Sequence, residues 1–317
     1  MRIGVLTNLR AGRSEVSKML ALLEQKPGIV HVETDSSRVL PEVLAELLQH
    51  QLDVLVVNGG DGTLQYTLTE LLANPDIPHI PYVAPLRGGR TNMTALDLGA
   101  QRNPLKGLSD VIDAADAGRL RELFVERPAL RVASAGRDRS QYGMFFGVGV
   151  IHRAISLVHR TFPAGRSQGA FGATVVTGAL AGKLLFRPTD GILTPDKVQV
   201  LLDGKDAYGG EFYLLIASTL GRLFARMNPY WGTGPGDVRF TSISSQVQRF
   251  ARAFPGVVRG TPRSDFVNRE NGYVSENAEK IELGLDSGFT VDGEIFEPVP
   301  DEVVTLTADR RITFVRA

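Results

Sequence analysis

The sequence predicts an α/β fold in two parts. A three-layer domain built on a parallel sheet comes first, followed by a mostly antiparallel β-sandwich or barrel. Three observations predict it. Strand-like and helix-like segments alternate over the first third of the chain. The glycine-rich stretch "NGGDGT" stands where a short apolar run ends and helical periodicity resumes, which is where ligand loops lie in open parallel sheets. Beyond about residue 125 the pattern becomes short β-rich runs between turn signals.

In order, "RIGVLTN" reads as a strand and "SEVSKMLALLEQ" as an amphipathic helix with Val16, Met19, Leu20 and Leu23 on one face. "IVHVET" is a second strand and the segment around "VLAELLQH" a second helix. "DVLVVN" is a third strand, followed by the glycine loop and a helix from about Leu64 to Leu72. "HIPYVAP" is a fourth strand. The β-rich half contains "QYGMFFGVGV", "KVQVLLDG", "EFYLLIAS", "DVRFTSIS" and "KIELGLDSGFTVDGEIFE". The expected domains are residues 1–125 and 126–299, and residues 300–317 either finish the second or return to the first. The apolar stretch "GAFGATVVTGALAGKLLF", residues 169–186, has the length of a short membrane span. Its four glycines, Lys183 and the flanking Arg166 and Arg187 fit a small-residue helix packed on the β domain as well.

Composition narrows the function classes. At 43% hydrophobic and 22% charged residues the chain is that of a folded protein. It has no cysteine, which excludes disulfides, thiolate metal sites and cysteine nucleophiles and is compatible with a reducing cytoplasm. The opening "MRIGVLTNLR" runs straight into strand-like sequence and reads as no signal peptide. Net charge is zero overall but uneven: −3 over residues 1–125, +9 over 126–270 and −6 over 271–317. A basic middle suits an anionic partner such as lipid headgroups; scattered solvated arginines are the plainer reading.

Glycines in the loop bring backbone N–H groups close to a bound anion, and the following helix adds its positive end. Thr63 can cap that helix or donate to a phosphate. Asp61 would repel such a ligand unless a cation intervenes or the carboxylate takes a proton from an attacking hydroxyl. The plainer alternative makes Asp61 the helix N-cap. The loop is neither a P-loop nor the dinucleotide G-x-G-x-x-G pattern. A second glycine-rich element, "APLRGGRTNM" with Gly88, Gly89, Thr91 and Asn92, would lie beside it if the third and fourth strands are neighbours. His152 and His159 could share a helix face without making a metal site, and Trp231 reads as a packed loop residue or a membrane-interface anchor.

"GGDGT" after a third strand, a P-x-G-x-x-x-N loop after the fourth, and a late "VDGE" resemble the diacylglycerol kinase catalytic family. That family includes bacterial lipid kinases and the sphingosine and ceramide kinases, and it is distantly similar to NAD kinases and phosphofructokinases. The resemblance implies transfer of the γ-phosphoryl group of Mg-ATP to a lipid hydroxyl, with a nucleotide-binding first domain, a lipid-binding second domain and the site in the cleft between. It implies nucleotide contacts at Gly59, Gly60, Gly62, Thr63, Thr34, Gly89, Thr91 and Asn92, and at Asn8 and Arg13 in "TNLRAGRS". That loop keeps Asn8 and Gly12 but has Leu9 where proline is usual. Asp61 would be catalytic and would touch magnesium through Mg-ATP, and Glu294 matches the family's proposed general base. Glu294 also follows Asp292-Gly293, a good hairpin turn, and could be an ordinary turn glutamate. Arg90 and Met93 depart from the family's usual threonine and aspartate. Thr233 falls where some bacterial members place an aspartate for a structural Mg²⁺, so that site is not expected. The implied partners are ATP and a lipid at an anionic membrane surface, with neither nucleic acid nor a protein partner. The implied location is cytoplasmic and peripheral to the membrane. The competing readings are a kinase of a soluble hydroxyl, and a lipid- or nucleotide-binding protein without turnover.

Overall fold

A computed structural model describes residues 1–10, 15–35, 40–77, 79–161 and 194–317. The chain divides into two compact units, Met1–Arg127 with Arg310–Ala317, and Pro128–Asp309.

The first unit is the expected alternation of strands and helices. Its elements run β1 (Ile3–Asn8), α1 (Val16–Glu24), β2 (Val30–Thr34), α2 (Leu40–Leu48), β3 (Val54–Gly59), α3 (Asp61–Ala73), β4 (Tyr82–Arg87), α4 (Met93–Asp97) and α5 (Pro104–Asp116). The strands pair in parallel in the order β2-β1-β3-β4. Successive side chains of a strand point to opposite faces, so each strand must be apolar on both when helices cover both. Ile3, Val5, Val54, Val56, Ala84 and Leu86 pack with Met19 and Leu23 of α1 and Leu108, Val111 and Ile112 of α5. On the other face Gly4 lies so close to the helix α2 side that an added Cβ would sit 2.3 Å from Leu52 Cδ1 and 3.2 Å from Leu47 Cδ2. Three layers result.

Two features were not read from the sequence. Helix α5 begins on a clear signal, Asn103 accepting from the N–H groups of Leu105 (2.8 Å) and Lys106 (3.2 Å) with Pro104 at the first helical position. Helix α3 starts at Asp61, three residues before the expected Leu64, because Gly60 takes the extended N-cap conformation (φ −92°, ψ −178°) and the helix absorbs Gly62 in its first turn.

The second unit contains β5 (Phe124–Ser134, entering from the first), β6 (Gln141–Gly143), β7 (Phe145–Gly149), α6 (Val150–Thr161), β8 (Asp196–Leu202), β9 (Asp206–Ser218), β10 (Val238–Ser244), α7 (Phe250–Arg259), β11 (Tyr273–Ala278), β12 (Lys280–Leu285), β13 (Phe289–Val291), β14 (Glu294–Phe296) and β15 (Glu302–Val315). Its strand pairs are antiparallel. The long strand β9 serves β8 along its first half and β7 along its second, while β10 takes the other edge of that second half. Alternate residues of these strands, among them Phe146, Val200, Leu215, Phe240, Leu283 and Phe289, enclose one apolar core. The first half of β15 pairs β12, and its end returns to the first unit, where Phe314 pairs Val83 of β4.

Asp292 and Gly293 join β13 to β14 with left-handed backbone at both positions (φ 48° and 94°), the geometry of a two-residue hairpin turn. Asp292 is also buried, and its Oδ2 accepts the Met144 N–H at 2.8 Å. The stretch 169–186 lies outside the described residues, and no described helix is long and apolar enough to cross a membrane.

Removing the Asp292 carboxylate strands a buried N–H. Asp292→Ala should lower the unfolding free energy by roughly 1–3 kcal/mol in urea titrations, and Asp292→Asn, which keeps an acceptor, by less. Equal stability of the alanine variant would show that the bond contributes nothing.

Candidate active site

The strand order places the ends of β2, β1, β3 and β4 side by side. Asn8 pairs Thr34, Thr7 pairs Asn58, and Gly59 pairs Arg87. Asn8, Thr34, Gly59, Gly60, Thr63, Gly89 and Asn92 therefore lie along one edge of the sheet; Arg13 and Gly12 lie outside the described residues.

Helix α3 opens on this edge. Its first rung is the Leu64 N–H to the Gly60 carbonyl at 3.1 Å, so the N–H groups of Asp61, Gly62 and Thr63 have no partner within the helix. Those donors and the helix dipole make a place for an anion. The N-cap is Gly60, not Asp61. Asp61 is the first helical residue, and its side chain turns instead to the start of α4.

The glycines supply room, not unusual dihedrals: Gly59, Gly60, Gly62, Gly88 and Gly89 all have ordinary φ. A Cβ on Gly59 would fall 2.6 Å from Thr63 Cβ, and one on Gly89 would fall 2.3 Å from Gly60 Cα. Two strand-end loops thus meet backbone to backbone. Asn92 holds the second in shape. It adopts the left-handed conformation (φ 51°, ψ 46°), accepts the Gly89 N–H at 2.7 Å and donates to the Gly89 carbonyl at 2.8 Å. Asn8 does similar work for the first, donating to Thr63 Oγ1 at 2.8 Å and accepting from the Arg10 N–H at 3.0 Å. Both asparagines set the loops' geometry with their side chains. Thr91 is exposed beside Asn92, and Thr34 is buried at the end of β2 with its carbonyl accepting the Leu9 N–H.

Asp61 is partly buried and accepts the Thr94 N–H at 3.3 Å. Burial pushes its carboxyl up from 3.8 to about 6, and the backbone N–H groups of Thr94, Met93 and Asn92 oppose that rise by favouring the charge. Two further polar atoms, Asn58 Oδ1 and Thr94 Oγ1, are buried with no hydrogen-bond partner among the described residues. Thr94 carried no signal in the sequence. No cluster of three or more His, Cys, Asp or Glu residues suited to a metal occurs among the described residues. One carboxylate per loop pair fits a magnesium ion that arrives already bound to phosphates, and not a cage built by protein alone.

In the second unit Glu294 opens β14 opposite Val291, with its carbonyl accepting from Thr290 Oγ1 at 2.8 Å. Its side chain is partly buried and its carboxylate has no partner among the described residues. His152 falls in α6, half-buried; the side chain of His159 lies outside the described residues. Trp231 packs against the cluster of Ile243, Val257, Phe266 and Tyr273.

Residues 2–122 match the family model for the diacylglycerol kinase catalytic domain. The match takes in nearly all of the N-terminal part of the first unit, Met1–Arg127. The match spans the Asn8, Thr34, Asp61 and Asn92 positions, and Glu294 lies beyond it. Solved structures of similar fold include a diacylglycerol kinase of Bacillus anthracis str. Sterne, at 16% identity and TM-score 0.62, covering 100% of this chain and 97% of that one. A provisionally named diacylglycerol kinase from the same organism has 17% identity and TM-score 0.67, with the same coverage. A yeast NADH kinase solved with NADH has 13% identity and TM-score 0.51, covering 100% and 84%. No curated protein matches the sequence significantly. The fold is thus that shared by these solved structures, and the loops described above fall within the residues that match the diacylglycerol kinase catalytic-domain model.

Two outcomes test this geometry. Gly89→Ala should drive the two loops apart and lower the melting temperature with the circular dichroism spectrum unchanged; an unchanged melting temperature would show that the approach is dispensable. The raised Asp61 carboxyl favours the folded state only while protonated, an advantage complete below about 4 and lost as pH rises through about 6. Asp61→Asn should therefore unfold later than the parent at pH 7.5, by up to about 3 kcal/mol, and at the same point below pH 4.

Proposed function

We propose that the chain is an ATP-dependent lipid kinase, transferring the γ-phosphoryl group of Mg-ATP to a hydroxyl of a diacylglycerol-like or sphingoid- or ceramide-like lipid. The observation that carries the reading is the open start of α3: the N–H groups of Gly62 and Thr63, unpaired within the helix, on a glycine loop with the Asp61 carboxylate beside them. Gly59, Gly60, Gly62 and Thr63 receive the phosphates through backbone N–H groups, and Gly89, Thr91 and Asn92 form the adjoining wall. Asn8 keeps the Thr63 hydroxyl in place, and Thr34 and Arg13 complete the nucleotide contacts.

Magnesium bound with ATP would be held in part by Asp61 and would offset the phosphates' charge. The acceptor hydroxyl gives its proton to a carboxylate, Glu294 or Asp61, as its oxygen bonds to the γ-phosphorus. The bond from that phosphorus to the bridging oxygen breaks, and ADP leaves. The enzyme works in the cytoplasm, peripherally at an anionic membrane surface where its acceptor is dissolved.

Purified protein with Mg²⁺, γ-labelled ATP and liposomes of total lipid extract should move label into the organic phase, and chromatography of the product would name the acceptor. Asp61→Asn and Glu294→Gln should each cut that transfer by orders of magnitude, and parental turnover in both would end the assignment. Label moving to NAD in the aqueous phase instead would make the acceptor a soluble hydroxyl.

A further inference from the structure

One run of the second unit is rich in arginine and nearly free of carboxylates. Residues 219–264 hold seven arginines, no lysine, and a single carboxylate, Asp237. Helix α7 and the segment before it carry most of this charge outward. Arg226, Arg249, Arg252, Arg259 and Arg263 are all exposed. Ala253 and Val257 form the buried stripe of α7, so Arg252 and Arg259, seven residues apart, share its solvent side with Pro255. The segment carrying Arg226 runs beside the end of this helix. The Asn228 N–H donates to the Val258 carbonyl at 2.9 Å, and a Cβ on Gly260 would lie 2.6 Å from the Asn228 carbonyl oxygen.

Backbone conformation singles out two of these residues. Arg226 (φ 59°) and Arg249 (φ 52°) both occupy the left-handed region, where glycine would be the unstrained choice. Arg249 is also the N-cap of α7 and makes no side-chain capping bond, and its charge sits at the helix end that repels cations. Arginine costs the fold at both positions, and twice over at Arg249. Such costs persist where the side chain is used for something else.

We propose that the arginine face of α7 and residues 222–230 docks the protein on an anionic lipid bilayer. The choice of a bilayer over other polyanions rests on the lipid-kinase reading, which requires the enzyme to work where its acceptor is dissolved. Exposed arginines suit headgroup phosphates, which they engage through paired N–H donors; Arg263 is shared with the exposed carboxylate of Asp265 at 3.6 Å, while no ion pair joins Arg226, Arg249, Arg252 or Arg259 to a carboxylate among the described residues. The two rings of α7, Phe250 and Phe254, are in contact (centroids 5.6 Å apart) and only partly buried, so they lie at the border between this face and the interior.

The test is co-sedimentation of the full chain with vesicles of phosphatidylcholine alone, and of phosphatidylcholine with about a third phosphatidylglycerol. The protein should bind only the second, and less as salt is raised. The pair Arg226→Gly and Arg249→Gly relieves the strain while removing two charges. It should retain the parent's melting temperature or exceed it, yet partition onto anionic vesicles about 30-fold more weakly. Arg252→Glu with Arg259→Glu should weaken binding further. Undiminished vesicle binding by both pairs would overturn the proposal. So would unchanged vesicle binding with lost binding to single-stranded RNA, which would make the face a nucleic-acid surface. Transfer to lipid in neutral detergent micelles separates the two readings. Parental transfer there in both pairs, with weakened vesicle binding, supports docking. No transfer even by the parent, with the vesicle difference intact, would end the kinase reading and leave the docking face standing.

Discussion

The arrangement of the first unit depends on how closely the loops after β3 and β4 approach. Neighbouring parallel strands run about 4.8 Å apart, a spacing at which ordinary side chains beyond the strand ends would hold the loops away from each other. Here Gly89 comes so near Gly60 that not even a methyl group fits. Each neighbouring feature follows from that contact. Asn92 must turn left-handed to carry the chain out of it, helix α4 starts at once, and the Thr94 N–H comes within reach of Asp61. The loops are placed by backbone packing, which varies far less than side-chain packing would.

Asp61 is where this arrangement is under tension. A carboxylate at the first position of α3 benefits from the dipole of its own helix and from the N–H groups of the next, yet burial outweighs both and raises its carboxyl. A group held this way is costly to a fold and useful to a reaction. It is ready to gain a proton near neutrality, and a cation brought close would draw it back to the charged form. The buried Asn58 Oδ1 and Thr94 Oγ1, without partners among the described residues, suggest the same division: the fold leaves polar capacity unused at this edge.

Much of the fold was legible because it rests on periodicity. Apolar runs covered on both faces mark β1, β3 and β4, and the change to short alternating runs marks the second unit. The glycine loop was legible because only a close backbone approach explains so many glycines together. The purpose of each residue in it was less so. Sequence suggested that the glycines bring N–H groups close to an anion and that Asp61 is the helix cap, a metal contact or a proton acceptor; the loops keep ordinary dihedrals, the cap is Gly60, and the Asp61 side chain faces a helix 32 residues further on. Asn8 and Asn92 were read as nucleotide contacts, and both spend their side chains on Thr63 and Gly89. No local pattern announces a bond that closes only when distant strand ends meet. Helix α7 was hidden for a different reason: "FARAFPGVVR" has a proline inside it and lies among strands, so its arginine stripe read as diffuse charge.

Charge shows how the two units differ in recognition. The span 1–125 is net acidic, yet it holds the loops proposed for a polyanionic nucleotide. Its long-range field would repel that ligand, so attraction has to arise at contact, from N–H groups at the start of α3 and from a metal carried by the phosphates. Such donors act over a few ångströms and are little weakened by salt. The arginine run of the second unit is the opposite case: exposed, unspecific in geometry, and effective out to a screening length of about 8 Å at physiological salt. Contact recognition selects a ligand and field recognition selects a surface. A chain with zero net charge can combine the two by placing backbone donors in one segment and a run of exposed arginines in another.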